Sequence, residues 1–222
     1  MLIQNNKIIS KLINIILGMC VALFSIGLSV ILVLNLTPVY RIAIEKFNLV
    51  NGTGVSAEDL MINYKGVINY LRNPFIEELK FKDFAMSSSG KIHFEEVKDI
   101  FMNLYIIMFI SILVLIVFKL IKKISEHIKL VKILNYSSNI IILLFGFVAT
   151  MIAIDFSKVF VIFHNIFFNN SYWIFDPKTD PIINALPEGL FMIYALIIII
   201  CLLGEAILFK FIYYKNRVKR IE

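Results

Sequence analysis

The sequence predicts an all-α membrane protein with four transmembrane helices and an extracytoplasmic cap formed by loops 1-2 and 3-4. Three observations predict this fold: the composition, four long apolar runs and an uneven distribution of basic residues. Of the 222 residues, 59% are hydrophobic and 17% are charged, and the mean hydropathy is +0.85. Soluble domains carry roughly 45–50% apolar and about 25% charged residues. The excess apolar surface is therefore expected to face lipid.

Four apolar runs reach the length of roughly 17–25 residues that a spanning helix requires. The predicted transmembrane helices are residues 12–34, 100–118, 138–156 and 189–209. The first run is longer than the core of a signal peptide, about 7–15 residues, so we expect an uncleaved anchor. We predict a single integral membrane domain, whose other segments are an outer loop 35–98, a cytoplasmic loop 119–136, an outer segment 157–188 and a cytoplasmic tail 210–222.

The basic residues predict the orientation of these helices. Twelve of them flank the spans on one side: Lys7, Lys11, Lys119, Lys122, Lys123, Lys129, Lys132, Lys210, Lys215, Arg217, Lys219 and Arg220. The stretch 155–188 on the other side holds only Lys158 and Lys178. Because short loops rich in Lys and Arg stay in the cytoplasm, both termini are predicted to be cytoplasmic.

The longer outer loop is predicted to contain a helix over residues 56–73. Apolar side chains recur there at helical spacing. Ser56 followed by Asp59 is typical of a helix start, and the pair Asn73-Pro74 is expected to end the helix.

His93 lies on the predicted outer side, just before the second span. Around it the chain reads SSSGKIHFEEVK, residues 87–98. Ser89 is predicted to cap a helix that continues into the span, which places Glu96 one turn after His93 on the same face. The helix N-terminus disfavours an imidazolium, whereas Glu96 favours it. Such an imidazole can act as a general base; the alternative is a histidine that only caps the helix.

His164 interrupts an apolar run at residues 159–168 on the same predicted side. The run is too short to span the bilayer, so we expect it to lie at the interface or against the bundle. An ionisable residue at membrane depth is a functional candidate. The alternative is a histidine that is hydrogen-bonded within the packing.

The loop after this run is predicted to be rigid, because each of two aspartates precedes a proline in the sequence WIFDPKTDP. Trp173 suits the aromatic belt at the membrane surface. Asp176 and Asp180 could order the loop, neutralise a cationic ligand or start turns. For each aspartate considered alone, the start of a turn is the favoured role.

The same residues allow a metal site, and the sequence excludes several other classes of protein. His93, Glu96 and His164 could supply a His₂Glu ligand set, which would suit a metal-dependent hydrolase. No phosphate-binding glycine loop, Gly-x-Ser-x-Gly elbow or His-Glu-x-x-His motif occurs. The basic residues flank membrane helices instead of forming a nucleic-acid footprint. We expect no cofactor and no nucleic-acid partner.

Two stretches resemble the signatures of a bacterial integral membrane family, the lipoprotein intramolecular transacylases. The stretch SSSGKIHFEEVKDIF resembles the family's His-x-x-(Asp/Glu)-Val-Lys signature, with Glu96 where members often have Asp. The stretch FHNIFFNNSYWIFDPKTDPIINALPEGLF resembles the second signature through its Phe-His, its Trp-x-Phe-Asp-Pro-x-Thr-Asp-Pro core and its Leu-Pro-Glu. The order and spacing of the four spans are also similar.

The resemblance implies an acyltransferase of the bacterial cell membrane. Its substrate would be a diacylated lipoprotein N-terminus, and the sn-2 acyl chain of the diacylglyceryl-cysteine would move to the cysteine α-amino group, giving a lyso-form lipoprotein. Both family histidines are thought essential, and they match His93 and His164. Supporting or substrate-binding roles are implied for the neighbouring residues Ser89, Glu96, Lys98, Trp173, Asp176 and Asp180.

The residues alone leave other possibilities open. Backbone amides of Ser87–Ser89, or the side chains of Lys98 or Lys158, could stabilise an oxyanion. One histidine would deprotonate the amine and the other would protonate the alcohol, in either order. A non-enzymatic membrane accessory protein that binds lipid or peptide is a further alternative, beside the metal-dependent hydrolase.

Overall fold

The computed structural model describes the backbone of residues 2–121 and 130–218 and the side chains of residues 8–121 and 130–217. Every regular element within these ranges is a helix. The α-helices are α1 (Leu2–Leu34), α2 (Thr37–Lys46), α3 (Leu49–Thr53), α4 (Ala57–Arg72), α5 (Ser88–Leu120), α6 (Leu130–Ile154), α7 (Phe156–Phe167) and α8 (Glu188–Val218), with a 3₁₀ helix at Pro181–Asn184.

Four of these helices are long and apolar enough to cross a membrane, namely α1, α5, α6 and α8. This confirms the predicted class, an all-α membrane protein with four spanning helices. The helices extend beyond the predicted apolar runs, and α5 begins at Ser88, within the predicted loop 35–98. A helix satisfies its own backbone hydrogen bonds in water as well as in lipid, so hydropathy locates only its apolar part. His93 consequently lies on a spanning helix.

Part of the predicted cytoplasmic loop and tail lies outside the described residues. These positions include His127 and five of the basic residues on which the predicted orientation rests, namely Lys122, Lys123, Lys129, Lys219 and Arg220.

The chain forms two compact units. Unit 1 comprises Met1–Val30, Tyr105–Met151 and Ile197–Glu222, and unit 2 comprises Ile31–Leu104 and Ile152–Leu196. Unit 1 has a small core of Ala22, Ile141, Leu202 and Ala206. Ser138 Oγ donates a hydrogen bond to the Ala206 carbonyl over 2.8 Å. Small side chains and such polar contacts are the means by which helices associate in lipid.

Unit 2 has the larger core, which is built around stacked tyrosines. The rings of Tyr40 and Tyr64 lie 4.0 Å apart and nearly parallel. Tyr40 donates to the Ala185 carbonyl over 3.0 Å, and the hydroxyls of Tyr64 and Tyr194 are 2.5 Å apart. Buried phenols need such partners, because an unpaired hydroxyl in an apolar core costs roughly 1–3 kcal/mol. Within unit 2 these bonds join α2 to the end of the 3₁₀ helix and α4 to α8.

The predicted helix of the long loop is confirmed as α4. Ser56 Oγ accepts a hydrogen bond from the Asp59 N–H over 3.1 Å, as the cap prediction requires. The helix ends at Arg72, and Asn73, which precedes Pro74, has an extended conformation. The buried face of α4 includes Leu60, Tyr64, Val67 and Leu71.

Candidate active site

His93 lies near the N-terminal end of α5 and is 8% exposed. Its ring is enclosed by aromatic side chains of unit 2, with ring centroids 4.7 Å from Phe168 and 5.4 Å from Phe175. Its Nδ1 is buried and has no hydrogen-bond partner among the described residues. This nitrogen is therefore not committed to any protein group that the structure describes.

His164 lies in the last turn of α7 and is also 8% exposed. Its Nδ1 is 2.7 Å from the Phe160 carbonyl oxygen. A carbonyl can only accept, so Nδ1 carries the hydrogen, and in the neutral ring Nε2 has the free lone pair. The Trp173 ring lies 4.5 Å away at 30°, which places that side chain directly against the imidazole.

The two imidazoles lie close together within unit 2. Their ring centroids are 6.1 Å apart and their planes meet at 32°. Phe168 contacts both rings, at 4.7 Å from His93 and 5.5 Å from His164. Burial lowers the pKa of His164 below its usual range, and the bond to the Phe160 carbonyl partly offsets this effect. Two cations at this separation would repel strongly in an apolar setting, so the pair is not doubly charged. Two imidazoles so placed can exchange protons with one molecule.

Glu96, one turn after His93 on α5, is bound by Asn170, a residue that the sequence did not indicate. Asn170 Nδ2 donates to Glu96 Oε1 over 2.6 Å, while Asn170 Oδ1 accepts from the Tyr172 N–H over 2.9 Å. Asn170 thus joins α5 to the segment that carries Trp173. Its position after the run 159–168 was the only available signal, and polar residues are common at helix ends.

Asp180 has a structural role at the start of α5. It is 2% exposed, and its Oδ1 accepts from the Ser87 N–H over 2.7 Å. A buried carboxylate is favourable here because the helix N-terminus carries a partial positive charge. Gly90 lies against it, and a Cβ at position 90 would collide with Asp180 Oδ1.

The predicted cap of α5 was wrong by two residues. Ser87 Oγ, rather than Ser89 Oγ, accepts a hydrogen bond from a first-turn amide, the Gly90 N–H, over 3.0 Å. Ser89 Oγ instead bonds to Ser87 Oγ over 2.9 Å. All three serines of the run suit a cap by residue type, and the contact with Asp180 selects the first.

Other predicted residues have described contacts with groups other than the imidazoles. Asp176 Oδ1 accepts from the Lys178 N–H over 2.9 Å, which forms the predicted turn. Lys98 donates to the Ile76 carbonyl and lies 4.5 Å from the centroid of the Tyr70 ring. Lys158 pairs with Asp155 over 3.3 Å and is 79% exposed. Neither lysine has a described contact with His93 or His164.

The possible metal set is not formed in the described part of the chain. No three His, Cys, Asp or Glu side chains come together there in a way that could hold an ion. Glu96 Oε1 is bonded to Asn170 instead.

A sequence profile of one family, described as lipoprotein intramolecular transacylase Lit, matches residues 15–191 of this chain. The chain belongs to this family. No match was found among the curated proteins. Membership favours acyl transfer over the accessory-protein and metal-hydrolase alternatives.

Solved structures of this family are similar over 96–100% of the chain. The membrane integral lipoprotein intramolecular transacylase Lit from Bacillus cereus has a TM-score of 0.85 and 32% identity, over 96% of this chain and 99% of that chain. Two variants of that protein, each with one histidine replaced, are also similar. The arginine variant has a TM-score of 0.81 and 31% identity, over 99% of this chain and 97% of that one. The alanine variant has a TM-score of 0.82 and 31% identity, over 100% of both chains.

Proposed function

We propose that this chain moves the sn-2 acyl group of a diacylglyceryl-cysteine lipoprotein to the α-amino group of the same cysteine. The amine nitrogen attacks the ester carbonyl, a C–N bond forms, and the C–O bond to glycerol breaks. One proton leaves the nitrogen and one arrives at the glycerol oxygen. Nucleophile and electrophile belong to one molecule, so their effective concentration is already high and no protein nucleophile is needed.

The proximity of the two imidazoles is the observation that carries this proposal. Centroids 6.1 Å apart leave both rings within reach of one reacting group placed beside them. His164 Nε2 has a free lone pair because Nδ1–H is held by Phe160, so His164 is suited to take the proton from the amine. His93, also neutral, relays this proton: it accepts the proton from His164 on one ring nitrogen and delivers the proton of its other ring nitrogen to the glycerol alkoxide, so both rings end neutral.

The surroundings of the pair support a lipid substrate. The side chains around the imidazoles are aromatic, and α7 carries several large apolar residues that are exposed in the structure: Val161, Ile162, Phe163, Ile166 and Phe167. Acyl chains could cover this surface, and apolar surface removed from water contributes about 25 cal/mol of free energy per Å². Glu96, whose Oε2 is unpaired among the described residues, is available to orient the amine or the His93 ring.

The proposed topology places the loop 35–98 and the segment 157–188 at the outer face of the cell membrane, with both termini in the cytoplasm. The positive charge that flanks α1, α5, α6 and α8 supports this orientation. A site on the outer leaflet suits a lipoprotein that is displayed there.

The experiment expresses His93→Ala, His164→Ala and the control His127→Ala in a host that lacks the activity. Substrate and product have the same mass, because the acyl group moves within one molecule. Tandem mass spectrometry of lipoprotein N-terminal peptides must therefore locate the acyl group on nitrogen or on glycerol. We expect a loss of about 10²–10⁴-fold for the first two variants, typical of general acid–base groups, and normal activity for the third. Full lyso-form content with either of the first two would refute the roles given to these histidines.

A further inference from the structure

Unit 1 contains a polar cavity far along the chain from both histidines. It has a volume of about 330 Å³ and is lined by Ser10, Lys11, Asn14, Lys132 and Tyr136. The first three residues lie on α1 and the last two on α6, at spacings that place each group on one helical face. Below the cavity the two helices touch, since a Cβ on Gly18 would lie 2.7 Å from Tyr136 Cβ. The cavity is thus closed on one side by tight helix packing.

The charge of the cavity indicates the kind of occupant. Two lysines line it, and no acidic residue does. Among the described residues, neither Lys11 nor Lys132 pairs with an acidic side chain. Lysine is a compact charge that binds phosphate as a point charge. The lining therefore favours an anion.

The side chain of Asn14 indicates, independently of the charge, that the occupant carries a hydrogen-bond donor. It is 2% exposed, and its Nδ2 donates to the Ser10 carbonyl over 2.6 Å, which fixes the side chain. Its Oδ1 has no hydrogen-bond partner among the described residues. A buried acceptor without a donor costs roughly 1–3 kcal/mol. An occupant that brings a hydrogen-bond donor would relieve this cost.

The position of the cavity identifies the source of such an occupant. Lys11 immediately precedes the apolar run 12–34, and Lys132 precedes the run 138–156. Both lysines thus lie where a spanning helix leaves the hydrocarbon, at the depth of lipid head groups. The volume is at the lower end of the roughly 300–1,000 Å³ of small-molecule sites, enough for a head group.

We propose that this cavity binds the head group of an anionic phospholipid, a phosphodiester that carries hydroxyl donors, of the phosphatidylglycerol type. The lysines hold the phosphate, and a head-group hydroxyl donates to the Asn14 side chain. The lining of this cavity includes neither His93 nor His164. The proposal can therefore be tested independently of the proposed function.

Calorimetric titration of the full chain in a non-ionic detergent tests the proposal. The probes are dihexanoyl phosphatidylglycerol, dihexanoyl phosphatidylcholine and inorganic phosphate. We expect saturable binding of phosphatidylglycerol only. The double variant Lys11→Ala/Lys132→Ala should weaken it about tenfold or more, and Asn14→Leu should weaken it several-fold. Lys11→Arg/Lys132→Arg, which keeps the charge, should bind as the native chain does and exclude a folding defect.

The matched control is Lys119→Ala/Lys215→Ala, which removes two charges from helix ends outside the cavity. An equal loss of binding in this control would show general attraction to charge and overturn the proposal. Equal binding of phosphatidylcholine, which has no net charge and no hydroxyl donor, would show that the cavity does not select an anionic head group and would overturn the proposal. Displacement by inorganic phosphate at the same concentration would assign the site to free phosphate instead of lipid.

Discussion

At the residue scale, the protonation state of His164 follows from its surroundings. Burial holds its pKa below the ordinary value of 6.5, so the ring stays neutral as pH falls through 6.5. We expect a histidine side-chain NMR titration, assigned with His164→Gln, to show a midpoint below 6.5. Between the two pKa values the unfolded chain binds a proton that the folded chain does not. The stability contributed by this group is therefore lost as pH falls below 6.5.

The variant Trp173→Ala is the comparison for this titration. The indole lies 4.5 Å from the imidazole, and its removal admits water, so the midpoint should move upward towards 6.5. A native midpoint at or above 6.5 would contradict the proposed assignment of His164 as a neutral base.

Gly90 is required because a carboxylate lies where its side chain would be. A Cβ there collides with Asp180 Oδ1, so Gly90→Ala must displace Asp180 or the first turn of α5. We expect a loss of about 1–3 kcal/mol in stability, seen as a lower midpoint of thermal unfolding in detergent, together with reduced transacylation.

Gly66→Ala is the matched control for this substitution. Gly66 lies within α4 and has no heavy atom within 4 Å of an added Cβ. Alanine there should stabilise the helix by about 0.5–1 kcal/mol. If both variants behave alike, the contact with Asp180 has no importance for stability.

At the element scale, α5 carries His93 and is anchored at its first turns to the loop that follows α7. Asp180 accepts from the Ser87 N–H, and Asn170 donates to Glu96. Both contacts join residues far apart in the sequence, at separations of 93 and 74 positions. His93 lies on α5 and His164 on α7. The contacts between α5 and the loop after α7 therefore help to set the distance between the two histidines within unit 2.

A double-mutant cycle on Glu96→Ala and Asn170→Ala tests this anchoring, because each single substitution removes the bond. The bond is charge-assisted and partly buried, so we expect a coupling energy of about 1.5–3 kcal/mol in thermal unfolding experiments. Asn170→Ala should also lower the transacylation rate, with Asn169→Ala, at the exposed neighbouring position, as the control. Independent, additive effects of the two substitutions would contradict a direct link.

At the scale of the whole molecule, the distribution of charge predicts which side of the membrane each loop and terminus faces. Both native cysteines are free, so Cys20→Ala/Cys201→Ala gives a background for thiol labelling. We expect Lys178→Cys to react with an impermeant maleimide on intact cells. Lys215→Cys should react only after permeabilisation. The reverse pattern would place both termini outside.

How far the sequence predicts the protein differs between its parts. The spans and α4 were predictable, because hydrophobic periodicity, capping serine and proline act over short distances. Asn170 and the cap at Ser87 were not, because each depends on a partner more than 70 positions away, Glu96 at a separation of 74 and Asp180 at a separation of 93. Residue type marks such side chains as polar but does not identify their partners.

The sequence by itself determined that the chain is a four-span helical membrane protein and that His93 and His164 are its main candidates for chemistry. Long apolar runs are sufficient to predict the spanning helices. Ionisable residues are rare beside such runs, and this rarity identifies the two histidines. Only the tertiary structure decided that the two rings lie 6.1 Å apart, that Phe160 fixes the tautomer of His164, and that Lys98 and Lys158 bind Ile76 and Asp155. Packing of distant segments sets these distances, and no local pattern in the chain encodes them.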